Sequence, residues 1–160
     1  MGSPKYPLDP LARVRSREVD EAARELGDSV RAREVARGAR VATEARRDAH
    51  ARDAERTRED ERAALERGEL RAGDLMRQDA WEHRVAAERA EHERNVVAAT
   101  ARENDARSAE NAAQGALAHR KADEGAVAKH RAKWDAAEAK KRDARDEEAA
   151  VEAWRPKGER

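Results

Sequence analysis

Cysteine, phenylalanine and isoleucine are absent from the 160 residues, and the aromatic side chains are only Tyr6, Trp81, Trp134 and Trp154. Without cysteine there is no disulfide framework and no cysteine-based zinc site. The apolar share of 38% overstates the material for a core. Alanine supplies 38 of those residues, which leaves seven leucines, ten valines and two methionines beside the aromatics. Full burial of a large apolar side chain contributes about 1.5–3 kcal/mol, and so few of them cannot build a layered core. A compact enzyme is therefore not expected. No apolar run approaches the roughly 20 residues of a membrane span; Val96-Val97-Ala98-Ala99 is the nearest thing to one. The opening Met1-Gly2-Ser3-Pro4-Lys5-Tyr6-Pro7 lacks the apolar stretch of a secretory signal, and Tyr6 stands where a myristoylated Gly2 would want Ser or Thr. These absences fit a cytoplasmic protein. Nor does one sign of charge dominate, since 35 basic residues face 35 acidic ones.

What remains is charge and alanine, 44% of the residues being Asp, Glu, Lys or Arg. Ala, Arg and Glu are strong helix formers, whereas disordered chains favour Pro, Ser and Gly and carry a high net charge. Proline occurs at positions 4, 7, 10 and 156 alone, so residues 11–155 hold no such breaker. Opposite charges recur one turn apart, as in Asp20→Arg24, Glu103→Arg107 and Glu138→Arg142. The pattern predicts long helix with one interruption. Gly68 and Gly73 lie five apart, each costing about 1 kcal/mol inside a helix, and Asp74 is placed to cap the helix that Leu75 and Met76 begin. The expected layout is a single hairpin over 8–155. Helix 1 spans about 8–65, a turn about 66–73 and helix 2 about 74–154, with flexible tips at 1–7 and 156–160. Gly27, Gly38, Gly115 and Gly125 read as weak points or close-packing sites inside the helices.

Both arms carry an apolar stripe. In the first, Leu8, Val19, Val30 and Val41 recur at every eleventh position, the spacing of a nearly straight or slightly right-handed pairing. In the second, a seven-residue column runs Val85, His92, Ala99, Ala106, Ala113, Arg120, Val127, Trp134. Such stripes need partner helices, and an antiparallel hairpin lets each arm serve the other. The fold class expected is thus all-α, a long antiparallel two-helix coiled-coil hairpin. Its seam is thin, with fraying expected between residues 44 and 64.

Sites of chemistry are not evident. His83 and His92 are nine apart, and His119 and His130 eleven apart, whereas a helical zinc pair needs a spacing of four. No phosphate-binding Gly-rich loop occurs, and no cofactor is expected. Nucleic-acid binding is a competitor because arginine is so abundant, with the best segments at Lys129-His130-Arg131-Ala132-Lys133 and Lys140-Lys141-Arg142. Acidic residues alternate with the basic ones and the pI is about 7.0, so a clustered basic face is missing and no nucleic acid is expected.

The order of motifs resembles the FliJ-type flagellar export proteins. Pro7-Leu8-Asp9-Pro10-Leu11-Ala12-Arg13-Val14, then Arg17-Glu18-Val19-Asp20-Glu21-Ala22-Ala23-Arg24-Glu25-Leu26-Gly27, is similar to that family's N-terminus. Leu75-Met76-Arg77-Gln78-Asp79-Ala80-Trp81 resembles the opening of its second helix, and Lys141 to Ala149 its basic-to-acidic close. The stalk protein of type III injectisomes shares this layout and stands as the alternative, with a scaffolding coiled coil outside secretion as another. The resemblance implies a non-enzymatic stalk and escort protein. Its partners would be a hexameric export ATPase, the cytoplasmic domain of the export gate and export chaperones, with peripheral membrane association through the gate only. It also implies gate binding at Trp81, Val85 and His92. Glu88 replaces a small apolar position of that face, and Arg46 and His50 lie where first-helix aromatics would be. By periodicity alone, the same three residues read as seam packing. Leu8 and Leu11, placed opposite Val151 and Trp154, would close the open end of the hairpin, touch the ATPase ring, or both.

Overall fold

The structure, a computed structural model, describes residues 5–154. It contains two helices, α1 (Asp9–Glu66) and α2 (Ala72–Trp154), and no strand among the described residues. They pair as an antiparallel helical hairpin, the fold class expected. Residues 1–4 and 155–160, where parts of the expected flexible tips fall, lie outside the described residues.

Local charge pairing accompanies both helices. Arg15 and Glu18 are 2.8 Å apart, Arg40 and Glu44 2.7 Å, and Lys141 and Glu138 2.7 Å, all one turn apart on the same helix. Pro10 sits in the first turn of α1, where a missing N–H leaves no ladder bond unmade.

The turn between the helices is built by two residues. Gly68 has φ 70°, the left-handed conformation that closes a helix. The Gly68 N–H donates to the Leu65 carbonyl at 3.0 Å and the Glu69 N–H to the Ala64 carbonyl at 3.0 Å, the paired bonds of a Schellman cap. Asp74 does cap α2, but from inside the first turn and not from the boundary position expected for it. Its carboxylate accepts from the Arg71 backbone N–H at 2.8 Å, so the cap reaches back three residues and α2 begins at Ala72. That backbone bond, with help from Arg77, holds the Asp74 carboxyl below its ordinary range. A depressed carboxylate contributes stability that is complete above its unfolded value and is lost as pH falls through the folded one. The Arg71 amide resonance should therefore titrate at a pH below the usual aspartate range, and Asp74→Asn should flatten that titration.

The chain divides into two compact units, Met1–Leu26 with Ala113–Arg160, and Gly27–Ala112. In the first, Arg15 pairs with Asp123 at 3.4 Å, Arg120 with Glu18 at 3.5 Å and Arg131 with Asp9 at 3.0 Å. Tyr6, which the sequence reading leaves in a flexible tip, is the most buried residue described, at 4% exposure. Its hydroxyl is 2.8 Å from Nδ1 of His130, and its ring meets Trp134 edge-on at 5.5 Å. In the second unit Arg40 bonds Glu103, and Arg58 grips Glu82 through two bonds of 2.8 and 2.9 Å. The span 44–64, where the thin seam predicts fraying, is helical throughout and buries Ala54.

The seam follows the second-arm column closely. Val85 and Ala99 are buried, His92, Ala106, Ala113, Val127 and Trp134 are half-buried, and only Arg120 stands exposed. The first-arm stripe holds at Leu8, Val19 and Val30 and leaves the seam at Val41, which is 51% exposed. Among the described residues three of the five buried ones are alanines, so each of these contributes only about 0.8 kcal/mol of methyl burial. The interior glycines are weak points and not close-packing sites: a Cβ added at Gly38 or Gly115 would meet nothing within 4 Å. Gly38→Ala and Gly115→Ala should each raise stability by about 0.5–1 kcal/mol, read from urea melts.

Candidate functional site

Trp81, Val85 and His92 share the α2 face turned towards α1. Val85 is 6% exposed. Trp81 is half-buried, and the Arg58 guanidinium lies 5.8 Å from its ring centroid. Glu82, next in sequence, clamps that guanidinium, and the same hydrogen bonds hold the Glu82 carboxyl below its ordinary range. His92 is half-buried with its ring 4.9 Å from that of His50. The structure thus brings the three residues together as seam, and as the hairpin stands Val85 presents no surface to a partner.

The departures from the FliJ pattern belong to the same constellation. Nε2 of His50 lies 2.9 Å from a Glu88 carboxylate oxygen. The two positions where this chain lacks the expected aromatic and small apolar residues therefore meet each other, with a polar bridge in place of an apolar contact. A cleft of about 290 Å³ runs beside it, lined by Arg47, Ala54, Val85 and Arg89 among others. Neither His50 nor Glu88 stood out by periodicity, because their pairing depends on the offset between the arms.

The second candidate group separates in space. Leu8 and Leu11 lie near the level of His130, since Asp9 meets Arg131 and Tyr6 meets His130. Val151 and Trp154 lie about 30–36 Å farther along α2 at 1.5 Å per residue. They do not face Leu8 and Leu11, so closure of the hairpin by these four residues is not what the structure shows. From Lys140 to Trp154 every residue of α2 is exposed, with Val151 at 63% and Trp154 at 87%. The role of closing this end falls instead to Tyr6, Trp134 and His130, which sequence reasoning missed. The lone tyrosine between two prolines was the available signal.

The α2 end carries its own pattern. Between Asp143 and Trp154 stand Asp143, Asp146, Glu147, Glu148 and Glu152 against Arg145 alone. Ala144, Glu147, Glu148, Val151 and Glu152 line a shallow surface depression there. The result is an acidic helix with an unpartnered apolar stripe ending in tryptophan.

A third feature lies in Gly27–Ala112. A groove of about 820 Å³ runs along both helices, with His92 and Ala99 at its inner edge.

Residues 3–153 match the family model described as YscO-like protein. The chain belongs to the YscO-like family. Its fold agrees with that of a Chlamydia trachomatis protein, CT670, whose structure is described as that of a YscO homolog. The TM-score is 0.80 at 23% sequence identity, covering 94% of this chain and 91% of that one. None of the curated proteins matches. Membership makes this YscO-like chain a type III secretion stalk-related protein, consistent with the hairpin of two long helices. No helix among the described residues is long and apolar enough to cross a membrane.

Proposed function

We propose that this YscO-like chain is the stalk and escort component of a type III export apparatus, of the secretion and not the flagellar kind. It would contact a hexameric export ATPase, the cytoplasmic domain of the export gate and export chaperones. The YscO-like match over residues 3–153 carries this reading, and it favours the injectisome alternative of the sequence resemblance. The ATPase contact is assigned to the α2 end through Val151 and Trp154, whose exposure leaves them ready for a partner. Leu8, half-buried, and Leu11, at 38% exposure, offer a second contact farther along the stalk. At the gate, Trp81 presents the surface, and Val85 and His92 hold the seam beneath it.

The mechanism is mechanical. Two helices have neither threefold nor sixfold symmetry, so they touch identical ring subunits unequally and bias their assembly and turnover. The protein works in the cytoplasm and reaches the membrane through the gate alone. Adding the purified chain to the cognate ATPase should raise its rate of ATP hydrolysis and its hexamer fraction. No binding together with no change in rate would sink this function.

A further inference from the structure

The helix pair within Gly27–Ala112 is sealed on one flank and open on the other. On the sealed flank Arg33, Arg40 and Arg47 of α1 reach Glu110, Glu103 and Glu93 of α2, one pair at every seventh α1 position. The open flank is the groove of about 820 Å³, floored by Ala32, Val35, Ala39, Asn95, Ala98 and Ala99. Val35 is 74% exposed there. No carboxylate lines this groove, and its charged residues are Arg31, Arg46 and Arg102. Arg31 pairs with Asp28 on its own helix, whereas Arg46 and Arg102 meet no carboxylate among the described residues. In a chain with as many acidic as basic residues, such one-signed lining sets this flank apart.

We propose that the groove seats a third helix, an acidic amphipathic helix from a partner protein. Its apolar side chains would rest on the alanine floor, and its carboxylates would meet Arg31, Arg46 and Arg102. The α1 stretch from Arg31 to Arg46 gives the groove about 22 Å, or four helical turns. Alanine on both walls permits close approach of a helix axis, and large apolar side chains then find holes without displacing anything. Charge selects the partner: a basic helix would meet three guanidiniums. A symmetric pairing of two copies, groove on groove, would likewise set arginine against arginine. The proposal does not rest on the stalk reading, and of the residues named there His92 alone, at the inner edge, lines the groove.

A fluorescent helical peptide about three heptads long, with leucine at the a and d positions and glutamate beside them, tests it by anisotropy with the full chain. The acidic peptide should bind saturably and its lysine counterpart should not. The Arg46→Glu/Arg102→Glu double variant should weaken binding at least about tenfold. Val35→Asp should abolish it while helicity by circular dichroism is unchanged, because Val35 is exposed. Failure of the acidic peptide to bind, equal binding of both peptides, or binding indifferent to these variants would overturn the proposal. So would concentration-dependent self-association of the chain that Val35→Asp removes, since the occupant would then be a second copy, for example through its acidic 143–154 segment.

Discussion

Val85→Gly should lower the stability of the Gly27–Ala112 unit by about 3 kcal/mol, while Val97→Gly should cost only about 0.5. Both substitutions put glycine inside α2 in place of valine, itself a modest helix former, and so carry the same helix penalty of about 0.5 kcal/mol. They differ in burial, 6% exposed against 68%. Removing three carbons from the buried site forfeits about 0.8 kcal/mol each, which supplies the remaining 2.5 or so. In a thick core such a loss would be diluted among many contacts. Here the other buried residues of the unit are Ala54 and Ala99, so Val85 is its largest buried side chain. Amide exchange should rise between residues 27 and 112 in the Val85 variant and stay near wild type at residues 5–26 and 113–140. A loss no greater than that of Val97→Gly would mean that the interhelical ion pairs, and not this seam, hold the unit together. The same variant asks a functional question as well. If Val85 supports Trp81 from beneath, the proposed gate binding should weaken in Val85→Gly in proportion to the lost hairpin, without any direct contact being removed.

The fold was readable because each of its causes is local. Proline confined to the ends permits long helices, Gly68 and Asp74 set the turn, and a seven-residue column marks the seam from Val85 to Trp134. The offset between the arms is a different kind of information. Periodicity says which face of each helix is apolar, but not which residue of one arm lies beside which of the other. A turn centred near residue 69 or 70 pairs α1 and α2 residues whose numbers add to about 140, as Arg58 with Glu82 and Asp9 with Arg131 do. Counting from the turn would therefore have put Leu8 beside Arg131 and left Val151 and Trp154 without an α1 neighbour. Matching end to end put these residues together instead. The His50–Glu88 bridge obeys the same count. Tyr6 was hidden for another reason: short segments rich in proline give no periodic signal, and its ring meets His130, Arg131 and Trp134, brought together only by helix geometry on α2. The groove was hidden because its boundary is a contrast between two flanks, one laced by arginine–glutamate pairs and one not.

On the proposed ring contact, Trp154→Ala combined with Val151→Asp should abolish measurable stimulation of the ATPase, with ring affinity falling by about 30-fold or more and helicity preserved. Truncating a tryptophan at the centre of an interface costs about 2 kcal/mol or more. Each step of about 1.4 kcal/mol corresponds to tenfold in affinity. The aspartate adds a charge to the apolar stripe of an already acidic segment, which opposes burial in any pocket that accepts valine. Neither side chain is packed in the structure, at 87% and 63% exposure, so the melting curve should stay within about 0.5 kcal/mol of wild type. That separation makes the variant informative. A loss of stimulation with intact stability assigns the ring contact to the α2 end. Wild-type stimulation would move the contact elsewhere, with Leu8→Ala/Leu11→Asp the next pair to measure. If that variant also leaves the rate unchanged, the exposed tryptophan serves a partner other than the ATPase.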